Sequence, residues 1–331
     1  MKSSLRSHEA VASYGLAGSN SGVATDVRQG DSSRRSAGAE GEAAQRRRRR
    51  FADYVDLTKP RLNILVVASS AAGYYLGISG GVDPASMAAA VLGTALVAGG
   101  AAVLNQVFER DTDGLMRRTR MRPLPDGRLA PADAAIFGIA LSAAGLVLLV
   151  ARANWGAATL ALATLVVYLA IYTPMKRRTP AATLVGAIPG ALPPLIGWTA
   201  ARGVVDWGGA ALFAIVFVWQ IPHFMAISWL YRDDYATARF PMLSVVDAEG
   251  HRAGRQALLY SIALVPVAVA PAFIGIAGPI YAAAALVFSV VMLVLAVRFA
   301  RLRDDASARL LFYGTITYLP LLWVVMIMNK I

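Results

Sequence analysis

Apolar residues run in long blocks along this chain, and polar residues collect between the blocks. The blocks are roughly 18–24 residues long, the length an α-helix needs to cross the hydrocarbon core of a bilayer. Nine spans are predicted, at 62–81, 85–107, 132–152, 155–173, 181–201, 207–230, 257–276, 279–299 and 309–328. The connections alternate in character. Those near Gly81, Asn154, Val205 and Gly278 are short, whereas 108–131, 174–180, 231–256 and 300–308 hold nearly all the polar side chains. A cytoplasmic N-terminus puts all but three of the 32 Lys and Arg on the cytoplasmic side, the exceptions being Arg152, Arg202 and Lys330. Positive charge on inner loops sets membrane orientation, so the N-terminus is expected inside and the C-terminus outside. The fold class read from this pattern is an all-α polytopic membrane protein.

Composition agrees. The chain is 57% hydrophobic and only 16% charged, against about a quarter charged in soluble domains. The net charge of +12 therefore reads as topology rather than as nucleic-acid binding. Residues 1–50 are rich in Ser, Gly, Ala, Gln and Arg and end in the run Arg46 to Arg50. Such a segment buries no core and is expected to be a disordered basic tail, with 51–331 as the membrane domain. No apolar stretch with a cleavage site marks it as a secretory signal. Glu9, Asp26, Asp31, Glu40 and Glu42 argue against a mitochondrial presequence. The expected location is a bacterial plasma membrane, with the mitochondrial inner membrane as the alternative. Without cysteine there is no disulfide, thiolate catalysis or cysteine-ligated cluster. With only His8, His223 and His251, a histidine-rich metal site is excluded as well.

Three polar constellations stand out. Asn105, Glu109 and Asp113 are spaced at four-residue steps, which puts oxygen donors on one helix face, with Asp113 turned about 80° from Asn105. Asp111, about 200° from Glu109, falls off that face. Arg110, Arg117, Arg118, Arg120 and Arg122 follow at once. Carboxylates beside cations at a membrane edge suit a metal-bound polyanion, with Mg²⁺ bridging carboxylate and phosphate. The second constellation lies in Gln220 to Leu243. His223 follows Pro222 inside an apolar span, and Asp233 and Asp234 come at its cytoplasmic end. An ionisable residue within a membrane span is costly and marks a functional position. His223 is a candidate haem ligand or proton carrier. The third is Tyr172 to Thr179, where Lys176 and Arg177 are placed to hold phosphate oxygens; Lys59 and its neighbours before the first span are similar. Pro189, Gly190, Pro193, Pro194 and Gly197 cluster densely enough to suggest a cavity wall. No internal repeat is visible.

Two carboxylate clusters, flanking cations and an apolar cavity suit the loss of diphosphate from an allylic lipid. Bound Mg²⁺ neutralises the leaving group, Lys and Arg stabilise its developing charge, and the cavity shields the cation from water.

At these residues the chain resembles the UbiA-type intramembrane prenyltransferase superfamily, over roughly 52–328. The superfamily motif NxxxDxxxD corresponds to Asn105, Glu109 and Asp113, with Glu in the middle. Gln106, Met116, Arg118, Thr119, Arg122, Pro123 and Leu124 extend the likeness to the branch that farnesylates haem. So do the loop Tyr172, Thr173, Lys176 and Arg177, the stretch Gly190 to Trp198, and the Asp233-Asp234-Tyr235 run. Ala182 and Met225 depart from that branch, which commonly carries Asn at the first and an aromatic ring at the second. The resemblance implies nine helices around a central cavity, farnesyl diphosphate as donor, haem B as acceptor rather than cofactor, and Mg²⁺ as cofactor. It implies that Asn105, Glu109, Asp113, Asp233 and Asp234 hold metal and diphosphate. Lys59, Arg118, Arg122, Lys176 and Arg177 bind diphosphate oxygens, and His223 and Tyr172 meet the acceptor. A haem A synthase or oxidase assembly factor is the partner that pathway logic suggests. The competing expectations are a quinone-precursor or chlorophyll-type acceptor and, from another class, a transporter of an anionic solute.

Overall fold

The computed structural model describes residue 45 and residues 47–331. The expected disordered tail, and His8 with it, therefore lies almost wholly outside the described residues. Ala52–Ile331 form one unit.

Among the described residues the long helices are α1 (Pro60–Gly77), α2 (Pro84–Asp113), α3 (Pro131–Arg152), α4 (Trp155–Met175), α5 (Ala182–Arg202), α6 (Trp207–Leu230), α7 (His251–Phe273), α8 (Pro279–Leu302) and α9 (Asp305–Met328). Eight of them are long and apolar enough to cross a membrane. The exception, α1, has 18 residues and interrupts its apolar side chains with Arg61, Asn63, Ser69, Ser70 and two glycines. Two short helices, Arg232–Thr237 and Leu243–Val246, lie in the loop after α6.

The sequence starts these helices by familiar means. Proline stands in the first turn of α1, α2, α3 and α8, where its missing N–H removes nothing and its φ is already helical. Asp83, Asn154, Asp206 and Asp304 accept hydrogen bonds from the first backbone N–H groups of α2, α4, α6 and α9. Gly203, at φ 77°, ends α5.

Several observed ends differ from the predicted spans. α2 continues past 107 to Asp113, and α7 begins at His251 rather than 257. Both extensions are polar helical turns that an apolar run does not reveal. α1 stops at Gly77, short of 81, as the chain turns out at Ile78.

Large apolar side chains face outward in stripes, such as Ile136, Ile139 and Val147 on α3 and Val287, Val291 and Val294 on α8. Such extensive apolar surface fits lipid rather than water as the surrounding medium. Small residues do the packing inside. Gly73 on α1 and Gly197 on α5 interlock the two helices. A Cβ on Gly73 would lie 2.0 Å from the Pro194 carbonyl oxygen, and one on Gly197 would lie 1.9 Å from the Ser70 oxygen. Small residues at such crossings let backbones meet. Trp323 on α9 ties into this pair through its Nε1–H, which donates to Ser69 Oγ at 3.2 Å.

At one end of the bundle, the loop after α2 is held by Arg128. Its guanidinium pairs with buried Asp53 and donates to the Met121 carbonyl. Gln106 donates to the Leu57 carbonyl at 2.6 Å, so α2 anchors the segment before α1 from the other side. These ties fix the end of the bundle where the polar constellations meet.

Gly197→Leu and Gly73→Leu are expected to force α1 and α5 apart and to destabilise the protein by about 1–3 kcal/mol or more. Their apparent melting midpoints in detergent should fall well below that of Gly80→Ala, where an added Cβ meets nothing within 4 Å. Equal midpoints would show that the crossing tolerates separation.

Candidate functional site

The last turns of α2 carry Asn105, Glu109 and Asp113 on one face, and all three are buried, between 1% and 3% exposed. Each is met by a partner from another part of the chain. Asn105 Nδ2 donates to Thr173 Oγ1 at 3.1 Å, and Tyr168 Oη donates to Asn105 Oδ1 at 3.4 Å. Lys176 Nζ sits 3.1 Å from both Glu109 oxygens. Arg122 Nη1 donates to Asp113 Oδ2 at 2.7 Å, and Thr119 Oγ1 holds the Asp113 carbonyl at 2.7 Å. Asp111 is exposed and, among the described residues, paired only with its neighbour Arg110, as its position on the opposite face requires.

Lys59 caps this group from before α1, with φ at 51°. Burial, together with the like charges of Arg122 and Lys176, brings its ammonium down to about 8. Lys59 also lines a cavity of about 340 Å³ enclosed by α1, α2, α4, α5 and α6. Val66, Val97, Ala101, Ile196 and Phe224 give that cavity an apolar wall, and Pro189, Gly190 and Pro193 form part of it, as the proline cluster suggested. Tyr168 and Tyr172 line it next to the cations. Their rings stack at 5.4 Å. They stand on a π-helical stretch, Val167–Tyr172, just before the basic loop; such wide turns recur at functional sites.

The second acidic cluster lies alongside. Asp233 and Asp234 line a more open hollow of about 790 Å³ with Arg117, Arg118, Arg120 and Tyr231. Arg118 joins the two halves. It stacks over Tyr231 and Tyr235, 4.8 and 5.6 Å from their centres, and its Nη2 donates to Tyr235 Oη at 3.4 Å. Phe240, from the same loop, lies under Lys176 at 4.8 Å. The two clusters thus share one end of the bundle, yet among the described residues no three acidic or histidine groups close on a common metal-sized point. Arg177 faces away, donating to the Phe108 carbonyl. His223 lies on α6 against α9, with Nδ1 2.8 Å from Thr315 Oγ1 and its ring between Trp219 and Phe312.

The donor set fits a hard cation. Glu109 and Asp113 present carboxylate oxygens, which Mg²⁺ prefers, and Lys176 and Arg122 already place positive charge against them. The arrangement can receive anionic oxygens at the mouth and an apolar chain behind it.

The sequence pattern named Thr173 only as part of the basic loop, without a partner, and left out Tyr168, Phe240 and Thr315. Tyr168 carries a signal all the same, since it lies one helical turn before Tyr172 and the basic loop. Phe240 lies in a polar loop, and Thr315 looks like an ordinary member of an apolar helix.

Comparison with known proteins gives a consistent result. A family model described as "UbiA prenyltransferase family" matches residues 66–324. The protoheme IX farnesyltransferase of Solibacter usitatus (strain Ellin6076) is 43% identical over 287 residues, covering 84% of this chain and 98% of the relative. A solved structure concerned with digeranylgeranylglyceryl phosphate synthase matches with a TM-score of 0.72 at 15% identity, over 84% of this chain and 98% of that one. A UbiA homologue from Archaeoglobus fulgidus bound to DMAPP and Mg²⁺ matches with a TM-score of 0.60 at 17% identity, over 83% and 97%. At these identities the structures speak for the fold.

Lys176→Met leaves Glu109 a buried charge without a partner, which costs about 3–5 kcal/mol. Thermal unfolding should show a large loss in Lys176→Met and recovery of most of it in the double variant with Glu109→Gln. A double variant no more stable than the single one would refute the pairing.

Proposed function

Because this chain belongs to the UbiA prenyltransferase family, we propose that it transfers a farnesyl group from farnesyl diphosphate to a vinyl group of protoheme IX, releasing diphosphate. The observation that carries this reading is the Glu109–Lys176 and Asp113–Arg122 pairing beside an apolar cavity lined by Lys59, Tyr168 and Tyr172. The relatives' name supplies farnesyl and haem. The Archaeoglobus homologues, bound to DMAPP or GPP with Mg²⁺, support a metal-assisted prenyl diphosphate reaction.

Asn105, Glu109 and Asp113 would hold Mg²⁺, with Asp233 and Asp234 serving the second half of the site. Bound there, Mg²⁺ neutralises the diphosphate leaving group. The side chains do the rest. Lys176 and Arg122 turn from carboxylate to phosphate oxygens, and Lys59 and Arg118 close on the same anion. The Lys59 ammonium, destabilised by burial and by neighbouring cations, is stabilised beside a polyanion. As the C1–O bond breaks, the electron pair leaves with diphosphate. The allylic cation faces the Tyr168 and Tyr172 rings, whose negative faces stabilise it. Apolar walls keep water from C1. C1 then bonds to the terminal vinyl carbon, water adds to the inner carbon, and a proton is released, giving the hydroxyethylfarnesyl product. His223 contacts haem.

The setting follows from the same reading. Nine helices span a bacterial plasma membrane with the N-terminus inside, α1 being the least apolar of them. Residues 1–50 form a basic tail outside the transferase domain 51–331. A haem A synthase or oxidase assembly factor takes the product.

Purified protein given radiolabelled farnesyl diphosphate, Mg²⁺ and either haem B or hydroxybenzoate should label haem alone, and chelation of Mg²⁺ should stop the reaction. Label found solely in the aromatic acid would overturn the acceptor assignment. Glu109→Gln and Asp113→Asn should each lower turnover about a hundredfold or more, the scale of a lost charge-stabilising group; near-normal kcat in both would remove the metal assignment.

A further inference from the structure

Thr315 and His223 meet across the α6–α9 seam, 92 residues apart in sequence. Thr315 is fully buried, and its Oγ1 lies 2.6 Å from the Phe312 carbonyl oxygen as well as 2.8 Å from His223 Nδ1. A hydroxyl has one proton. Only one arrangement satisfies both short contacts: Thr315 donates to the Phe312 carbonyl and accepts from a protonated Nδ1. The reverse, a hydroxyl donating to a bare Nδ1, leaves two oxygens 2.6 Å apart with no proton between them. The tautomer is thereby fixed with the lone pair on Nε2.

The ring is held as firmly as its protons. Trp219 and Phe312 stack on it at 5.3 Å, tilted by 17° and 20°. Trp219 Nε1 donates to the Thr315 carbonyl at 2.9 Å, which ties all three residues into one unit. No described residue engages Nε2, and His223 remains partly exposed. Its neighbour Phe224 lines the apolar cavity.

We propose that Thr315 is a positioning residue that fixes the His223 tautomer so that Nε2 ligates the iron of the haem acceptor. The proposal rests on the haem reading above and adds to it the manner in which the acceptor is held. Outer hydrogen-bond partners of this kind set both ring orientation and ligand basicity, and their loss weakens metal affinity about 10–100-fold.

The test is a titration of ferric haem B into the full chain in nanodiscs, read at the Soret band. Thr315→Val should bind haem about 10–100-fold more weakly, whereas Thr315→Ser, which keeps the hydroxyl, should bind like wild type. His223→Ala should lose the imidazole-ligated spectrum and recover it with added imidazole. All three should retain Mg²⁺-dependent binding of a non-reactive farnesyl diphosphate analogue. Wild-type affinity in Thr315→Val, with ligation lost in His223→Ala, overturns the role of Thr315 alone. An unchanged spectrum in His223→Ala overturns the ligand, while farnesyl transfer to haem still stands. Label that passes only to another acceptor overturns the functional reading itself. Independently of any variant, ¹⁵N-histidine spectra of the wild-type protein should show a His223 with Nδ1 protonated and Nε2 bare; an Nε2–H signal would refute the tautomer.

Discussion

Two carboxylates buried in the last turns of α2 set the terms for everything around them. A lone carboxylate taken out of water costs several kcal/mol, so Glu109 and Asp113 require positive partners. Those partners come from different loops. Lys176 arrives after α4, and Arg122 comes from the loop that follows α2 itself. The pairing therefore folds two connections onto one helix end, and it also arranges the reactive charges. On the proposed reading, a divalent cation held by the carboxylates would free Lys176 and Arg122 for an arriving diphosphate. Each charge would change partner, and none would be left unpaired in the low-dielectric mouth. Such an exchange would let the site be stable at rest and still receive a polyanion.

The cavity follows from a second constraint, close helix packing without bulky side chains. Gly73 and Gly197 bring α1 and α5 together. The prolines of α5 then form part of the wall opposite α2 and α4, where the space opens. A wider helical turn at Val167–Tyr172 puts two tyrosines at the boundary between charged mouth and apolar interior. A charged mouth and an apolar interior thus lie side by side, which suits the ionisation of an allylic ester.

Much of this was legible in the chain. The four-residue steps from Asn105 to Asp113 fixed one helix face, and burial of all three beside exposed Asp111 follows from helical periodicity alone. Long apolar runs located the helices, although hydropathy misjudged ends such as Asp113 and His251, where helix continues into polar sequence. What stayed hidden was pairing at a distance. Nothing local tells Lys176 to choose Glu109, or Arg177, one residue on, to turn to the Phe108 carbonyl. Thr315 was hidden for the same reason, as one of several hydroxyls in an apolar helix, with its partner on another one.

The two acidic clusters differ in a way that physical chemistry explains. Glu109 and Asp113 are buried and already paired, whereas Asp233 is exposed and Asp234 only half-buried, at the start of a six-residue helix. Exposed carboxylates keep their water and need no fixed partner. Arg118 lies between the clusters, and its charge rests on the Tyr231 and Tyr235 faces rather than on any carboxylate. A guanidinium held over aromatic rings leaves most of its in-plane donors free, with Nη2 engaged by the Tyr235 hydroxyl. Arg118 is therefore placed to meet an anion without first breaking an ion pair. On the proposed reading the inner cluster would exchange charges when an anion binds, and the outer one, with Arg118 as its link, would receive it.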